Sequence, residues 1–382
     1  MTERIYYHDS YATEFQAQIV ASNPDRTRVY LDRTAFYPSS GGQPCDTGLL
    51  GGVLVLEVID EEDRIAHVLG TPLEGLEVYG SIHWERRFDH MQQHTGQHLL
   101  SAVFADLANA ATVSFHLGAE SSTIDLAVPS LDPEVIQAVE RRANEVVFEN
   151  RQVLVEFQQA SDATSLRKAS GRDGMLRIVS IRDLDRSACG GTHVRATGEI
   201  GPILIRKLDK LRGNVRVEFL CGMRSVRRAR VDYEALSQIA RSFSAPMDEA
   251  PALVAMQIEK LAESDKARRR LSAELATAKG RELYAETQPD AHGTRRIVRR
   301  LDAITDDLRT EAQSFTSGPN AVMLLLARNP PTVLLAASKD SGLDAGRWLK
   351  TAVSGLGGRG GGSPTMAQGS LPSEESLNHL TL

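Results

Sequence analysis

The sequence predicts a mixed α/β (α+β) protein of several domains, and three features of it carry that expectation. Residues 1–86 are rich in β-branched and apolar segments bounded by glycine and proline. From about Arg87 the apolar residues recur at helical spacing. Residues 246–287 are rich in Ala, Glu, Lys, Arg and Leu, as a long helix would be. A chain of 382 residues has room for two to three domains at the usual ~100–200 residues each.

The segments Gln18–Leu31 and Val53–Ile59 read as strands. Between them lies AFYPSSGGQPCDTG (Ala35–Gly48), where Pro38, Gly41, Gly42 and Pro44 exclude a regular helix or central strand. Residues 1–86 are therefore expected to form a β-barrel-like domain carrying this glycine-rich motif. His94, His98, Leu99, Leu100, Val103, Phe104 and Leu107 suit an amphipathic helix, opening a domain over 87–240. A second helix spans Asp132–Glu149, with Asp132-Pro133 as cap and first turn, and a strand at Gln152–Phe157 follows. Strands return through Leu176–Ile181 and Ile203–Leu220. Residues 241–288 form a helical arm, with Val254, Ile258, Leu261 and Leu275 at near-heptad spacing and a seam interrupted at Asp265 and Arg268. Packing of that helix on its own domain has equal weight with a coiled-coil face that would give a homodimer. Residues 289–382 resume α/β character, through Val322–Leu326, Thr332–Ala337 and the glycine-rich Gly355–Ser370, and the tail after Leu371 is expected to fray.

Apolar residues make up 41% and charged residues 25%, an ordinary soluble balance. The net charge of −6 argues against a surface coated in basic charge but leaves room for a local basic strip. Three cysteines cannot staple a chain of this length, so a reducing compartment is expected. The start, MTERIYYHDS, lacks the apolar core of a signal peptide. The most apolar stretch, Ala321–Ala337, is cut by Arg328 and Pro330–Pro331, far short of a membrane span. These features point to a soluble, cytoplasmic protein with no membrane partner.

The strongest chemical signal is DHMQQHTGQHLL together with SACGGTHV. His94 and His98 are four apart, so on a helix both imidazoles leave one face about one turn apart. Cys189 and His193 are also four apart, but Gly190 and Gly191 make that segment a turn, whose ends can fold toward one point. Two ligands from a helix and two from a turn build a tetrahedral N/S site, a mix that suits zinc. Four protein ligands would close a structural site, whereas a catalytic ion needs an open position. The helix reads HTGQH, with no glutamate between its histidines, so the zinc-peptidase arrangement is absent.

HMQQHTGQHLL, CGGTHV and the upstream AFYPSSGGQPCDTG, in this order, resemble the editing domain of alanyl-tRNA synthetase and the free-standing alanyl-tRNA editing proteins of the AlaX type. VRVEFLCGMRSVRRA (Val215–Ala229) is similar to the strand-to-helix end of that domain. GLGGRGGGSPTMAQGS is similar to the glycine-rich end of a DHHA1 domain. The likeness thus spans nearly all of the chain, as in the long form of these proteins. It implies a zinc-binding editing domain over 87–240 and a DHHA1-like tRNA-binding domain over 289–382. The stretch before His94 is too short for a class II aminoacylation domain, and the Asp-His-His signature of DHH phosphoesterases is missing, Phe88-Asp89-His90-Met91 not supplying it.

The reaction the resemblance implies is zinc-dependent hydrolysis of mischarged tRNA(Ala), seryl-tRNA(Ala) first, with glycyl-tRNA(Ala) left open. Zinc would be held by His94, His98, Cys189 and His193, position the substrate and have the attacking water close by; no side chain is assigned as catalytic. The glycine-rich turn would line the amino-acid pocket, with Thr34 and Gln43 hydrogen-bonding the serine hydroxyl. Gly41 and Gly42 would let the backbone approach the substrate. For Thr34 and Gln43 the competing reading is a turn-stabilising hydrogen bond to the backbone. His116 reads as a core histidine before a proton carrier, Cys45 as a small buried residue and Cys221 as packing. From Arg206 to Arg230 nine basic residues face two acidic ones. Lys207, Lys210 and Arg212 from this run, and Arg359 in the glycine-rich segment, are the expected tRNA contacts, with Arg295, Arg296, Arg299 and Arg300 as an extension. The alternative function is a non-catalytic tRNA-binding protein with a structural zinc. A zinc hydrolase of other substrates is disfavoured by the missing glutamate and the DHHA1-like end.

Overall fold

Alternating buried and exposed side chains build the first sheet. The computed structural model describes residues 1–168, 171 and 173–382. It begins with β1 (Glu3–Arg4), β2 (Glu14–Ser22), β3 (Arg28–Leu31), β4 (Arg33–Thr34), β5 (Gly48–Leu50), β6 (Val53–Glu61), β7 (Arg64–Leu69) and β8 (Glu77–Ile82). Six of these strands close into a barrel in the order β2-β3-β7-β6-β5-β8, with β8 pairing back on β2. Its interior holds Phe15, Val29, Leu31, Phe36, Leu50, Val55, Val58, Ile65 and Leu69. The expected continuous strand Gln18–Leu31 is instead two strands. Asn23-Pro24-Asp25 turns the chain, Arg26 has φ +54°, and Asn23 Oδ1 accepts from Arg28 N–H at 2.9 Å.

After the barrel comes α1 (Trp84–Ala108), then β9 (Thr112–Leu117), β10 (Ser122–Leu126), α2 (Pro133–Glu149), β11 (Val153–Gln159), β12 (Met175–Ile181), β13 (Asp185–Ala188), β14 (Ile203–Leu211), β15 (Asn214–Cys221) and α3 (Met223–Ser242). Pro133 takes the first helical position of α2, but Asp132 makes no side-chain cap bond. Two antiparallel sheets form, β14-β15-β10-β9 and β11-β12-β13. The core places Leu99, Leu100, Val103 and Phe104 of α1 against Ile124, Val139, Val146, Val217 and Phe219.

The chain divides into two compact units, Met1–Gln238 and Ile239–Leu382. Residues 1–86 and 87–238 lie together in the first unit and 239–382 in the second. Arg87 joins the two parts of the first unit. Its guanidinium and Asp46 are both fully buried and paired. Arg87 also donates to Ser10 O (2.8 Å) and Ala35 O (2.5 Å), while Asp46 Oδ2 accepts from Tyr37 N–H (2.6 Å). One helix side chain thus ties together the entry segment, both ends of the glycine-rich loop and α1.

The second unit contains α4 (Ala250–Glu286), β16 (Arg295–Leu301), α5 (Asp306–Phe315), β17 (Ala321–Ala327), β18 (Thr332–Ala337), α6 (Ala345–Ser354), β19 (Arg359–Gly362) and β20 (Met366–Ser370). The sheet order is β16-β17-β18-β20-β19, with only the β16–β17 pair parallel. Every residue of β17 and β18 is buried, because α6 covers one face and α5 with the end of α4 the other. Gly280 lets α4 approach α5, since a Cβ there would collide with the Glu311 carbonyl. Ile258, Leu261 and Leu275 of the near-heptad set remain exposed. Within the glycine-rich segment, Arg359–Gly362 and Met366–Ser370 form the β19–β20 hairpin at the sheet edge. The tail does not fray either: Leu371, Leu377 and Leu380 are buried in the α6 core, because that face of the sheet would otherwise be wet.

Removing one partner of a buried ion pair strands the other charge and costs about 3–5 kcal/mol. Asp46→Ala should therefore lose about that much in chemical denaturation followed through Trp84 fluorescence in a Trp348→Phe background. A loss under about 1 kcal/mol would mean that Arg87 finds solvent and the clamp is not structural.

Candidate metal centre

The motif HMQQHTGQH lies in the middle of α1, where residues 90–104 are all buried. A buried helix segment this polar needs a partner for each side chain. Gln93 supplies both ends of its amide to the backbone of Cys221, Oε1 accepting from N–H (2.9 Å) and Nε2 donating to O (3.0 Å). Gln92 donates to Glu199 O at 2.9 Å. Gly96 is required by space: a Cβ there would collide with Cys221 Sγ. These contacts press α1 against β15 and fix the rotation that aims His94 and His98 the same way.

The turn after β13 brings in the other half. Arg177 donates from Nη1 to the carbonyls of Cys189 (2.7 Å) and Gly191 (2.9 Å), drawing Cys189–Gly191 around its guanidinium. Gly191 faces the His94 ring so closely that a Cβ would collide with it. The ligand-type atoms of His94, His98, Cys189 and His193 then all lie within 4.8 Å of one another. Cys189 Sγ is 3.5 Å from His94 Nε2 and 3.3 Å from His193 Nε2.

Each imidazole is held through its other nitrogen. His94 Nδ1–H donates to Gln43 Oε1 (2.8 Å) and His98 Nδ1–H to Asp185 Oδ2 (2.9 Å), while His193 Nδ1 meets Thr95 Oγ1 at 3.1 Å. Both amide oxygen and carboxylate only accept, so Nδ1 carries a proton in His94 and His98 and Nε2 is the nitrogen that faces the cluster. Burial opposes a thiolate at Cys189, yet His94 and His193 outweigh it and hold its pKa well below the ordinary thiol value. Burial likewise opposes a charged His98, but hydrogen bonds with Asp185 and Cys189 raise it to about 9. Burial pushes His193 down to about 3.

A thiolate and three imidazoles at these separations fit a tetrahedral ion. Bonds of ~2.3 Å to sulfur and ~2.0 Å to nitrogen put neighbouring ligand atoms about 3.5 Å apart, close to the S···N distances here. The donor set is soft and borderline, which favours zinc over magnesium or calcium.

His94, His98 and Cys189 lie on the wall of a cleft of about 1110 Å³. Gly41 lines it beside Ser39 and Ser40; Thr34, Gly42 and Gln43 do not. Thr34 is fully buried, its hydroxyl bridging His67 Nε2 (2.9 Å) and Phe36 N–H (3.1 Å). Gln43 is spent on His94 and on Thr192, donating to its Oγ1 at 2.8 Å. Ser40 and Gln43 exchange backbone hydrogen bonds across Gly41 and Gly42, whose φ values of +56° and +84° mark a type I′ turn. Gly42 faces Phe115 rather than the cleft. His116 is neither core nor cleft wall but exposed. Cys45 and Cys221 are buried among apolar residues, as expected.

The basic run is thinner than its count. Arg206 and Arg228 pair with Asp232, Lys207 with Asp209, Arg216 with Asp125 and Arg224 with Asp89. Among the described residues, Lys210 and Arg212 meet no carboxylate, nor does Arg359 on the exposed strand β19 of the other unit. Arg296 and Arg299 are taken by Asp290 and Glu311. Thr95, Asp185 and Arg177 were not singled out by sequence, although Thr95 sits inside the histidine motif.

Residues 176–218 match the family model described as the threonyl and alanyl tRNA synthetase second additional domain, and residues 294–381 match the DHHA1 domain model. The chain is 31% identical over 392 residues to the alanyl-tRNA editing protein AlaX-L of Pyrococcus horikoshii, covering 97% of this chain and 94% of that protein. It is 33% identical over 390 residues to the alanine–tRNA ligase of Pyrococcus furiosus, covering 97% of this chain and 42% of the ligase.

Loss of an outer hydrogen-bond partner typically weakens metal affinity about 10- to 100-fold. Gln43→Ala and Thr95→Val should each weaken zinc binding by that order in competition with a chromogenic chelator. Asp173→Asn, on the cleft wall but with no ligand contact, should leave it unchanged. Wild-type affinity in both of the first two variants would mean that packing alone orients the rings.

Proposed function

The chain belongs to the AlaX-L family of alanyl-tRNA editing proteins, and from that membership we propose that it is an aminoacyl-tRNA deacylase, a trans-editing hydrolase acting on tRNA(Ala) charged with serine and, secondarily, glycine. The observation that carries this reading is the convergence of His94, His98, Cys189 and His193 at a cleft wide enough for an aminoacyl nucleoside. These four residues would hold zinc, which when bound supplies positive charge to polarise the ester carbonyl.

The chain's own groups do the rest. Gln43, Asp185 and Thr95 fix the three rings and act through them as positioning residues. Thr34 keeps the glycine-rich loop seated on the barrel. Discrimination of serine from alanine needs an unpaired polar group that the smaller side chain leaves unsatisfied. Gln97 has one, since it lines the cleft, donates through Nε2 to Ser101 (2.8 Å) and leaves Oε1 uncommitted. This reading moves the hydroxyl contact from Thr34 and Gln43, whose polar atoms are occupied, to Gln97.

For tRNA we assign Lys210 and Arg212 to phosphate contact, with Arg359 in the second unit. Lys207 stays in the set with its charge shared with Asp209. The exposed Ile258, Leu261 and Leu275 face of α4 is where we place a homodimer contact. No helix of the described residues is long and apolar enough to cross a membrane, and the cytoplasm, where charged tRNA is used, is the compartment we assign. The four protein ligands, which can close a coordination sphere, favour the second reading, a tRNA-binding protein with a structural zinc.

Deacylation of seryl-, glycyl- and alanyl-tRNA(Ala) by metal-loaded protein separates the two. Serine should be released and alanine spared, with Cys189→Ala slower by more than about 100-fold. Survival of seryl-tRNA(Ala) would leave only the binding reading. A Lys210→Ala/Arg212→Ala variant should bind tRNA with a log Kd against log salt slope shallower by about 1–2. An unchanged slope would remove these residues from the interface.

A further inference from the structure

The cleft has a second feature that the ligand cluster does not use. Phe157 on β11 is 40% exposed and lines the cleft wall with Met175. His8 lies against its ring at 4.9 Å between centroids. An aromatic ring left half in water beside a polar site is not spent on the core.

Register ties this ring to the centre. Phe157 stands directly opposite Arg177 in the β11–β12 pairing, so the two side chains share one face of the sheet. Arg177 in turn holds the carbonyls of Cys189 and Gly191. The order outward from the cluster is the Cys189 turn beyond β13, then Arg177 on β12, then Phe157 on β11. Two strand spacings, about 10 Å, separate the first from the last. That suits the span from an ester on a terminal ribose to the base of the same nucleotide.

Arg177 fixes the wall on which the ring stands. It is buried, its Nε donates to Tyr7 O (2.9 Å), its Nη1 holds the turn, and its Nη2, without a hydrogen-bond partner, is sealed from solvent and is not offered to a ligand. An exposed aromatic ring on such a wall is the platform on which bases of single-stranded nucleotides stack.

We propose that the β11–β12 face is the subsite for the 3′-terminal adenosine of the substrate tRNA, with the base stacked on Phe157. The assignment rests on the deacylase reading for the identity of the ligand, though not on any catalytic step. Arg177 also shapes the Cys189 turn, so Phe157 carries the test.

The probe is a single-stranded oligonucleotide of the acceptor-end sequence with 2-aminopurine as its 3′-terminal base, titrated with the full-length protein. Stacking should quench the probe, Phe157→Ala should abolish the quench, and Phe157→Tyr should keep it. In deacylation, Phe157→Ala should raise KM for seryl-tRNA(Ala) about tenfold or more while kcat stays within about twofold. Hydrolysis of a simple serine alkyl ester, which has no base, should not change. Quenching that survives Phe157→Ala, or an equal loss on the alkyl ester, would overturn the subsite. Phe157-dependent quenching without deacylation would keep the subsite and sink the enzyme reading. Zinc stoichiometry equal to that of the intact protein shows that the variant is folded.

Discussion

The buried pair of Arg87 and Asp46 is the constraint on which the centre depends. Asp46 lies in the glycine-rich loop and Arg87 near the start of α1, and neither is exposed at all. Two charges in that position hold only if every remaining donor and acceptor is met. Here the extra bonds run to Ser10, Ala35 and Tyr37. The loop is thereby held against α1, and Gln43 reaches the ring of His94 across 51 residues of sequence. The barrel contributes to the centre through this one fastening more than through any ligand of its own.

The middle of α1 follows the same logic. A helix surrounded by protein usually carries apolar residues all round, yet this one buries Gln92, Gln93, His94, Thr95, Gln97 and His98 together. All but Gln97, which bonds to Ser101 one turn on in the same helix, find a partner on a neighbouring segment, so the helix has one rotation and one depth that satisfy them. Gly96 sets the depth, because any side chain there would hold β15 away. Gly191 does the same for the opposite wall. The arrangement of the four ligand-type side chains is thus fixed by what surrounds them.

Electrostatics divides the molecule differently from a residue count. The net charge of −6 hides a basic run, but most of that run is engaged with Asp89, Asp125, Asp209 and Asp232. What a polyanion can meet is the remainder, Lys210, Arg212, Arg227 and Arg230, the last of which lies over the Tyr233 ring. Ion pairs of this exposed kind are weak, so a polyanion can compete for some of the paired arginines.

The four ligand-type residues were legible because their geometry is local. An i, i+4 pair on a helix and a glycine turn four residues long each specify where their side chains point, whatever the rest of the chain does. The strand and helix segments, the arm and the family likeness were legible for similar reasons, since periodicity and motif order are properties of the sequence itself. The roles of Thr34 and Gln43 were not. A hydroxyl and an amide bond equally well to a substrate, a backbone or a histidine, and only the fold decides which lies at 3 Å. The same holds for Asp185, Thr95 and Arg177, whose partners are 87, 98 and 12 residues away. His116 and the C-terminal tail erred in opposite directions, one exposed and one buried. Sequence by itself determined which four ligand-type residues belong together and the mixed α/β class; only tertiary structure decided which polar groups are spent holding the site and which are left for a ligand, because burial and pairing belong to the packed chain.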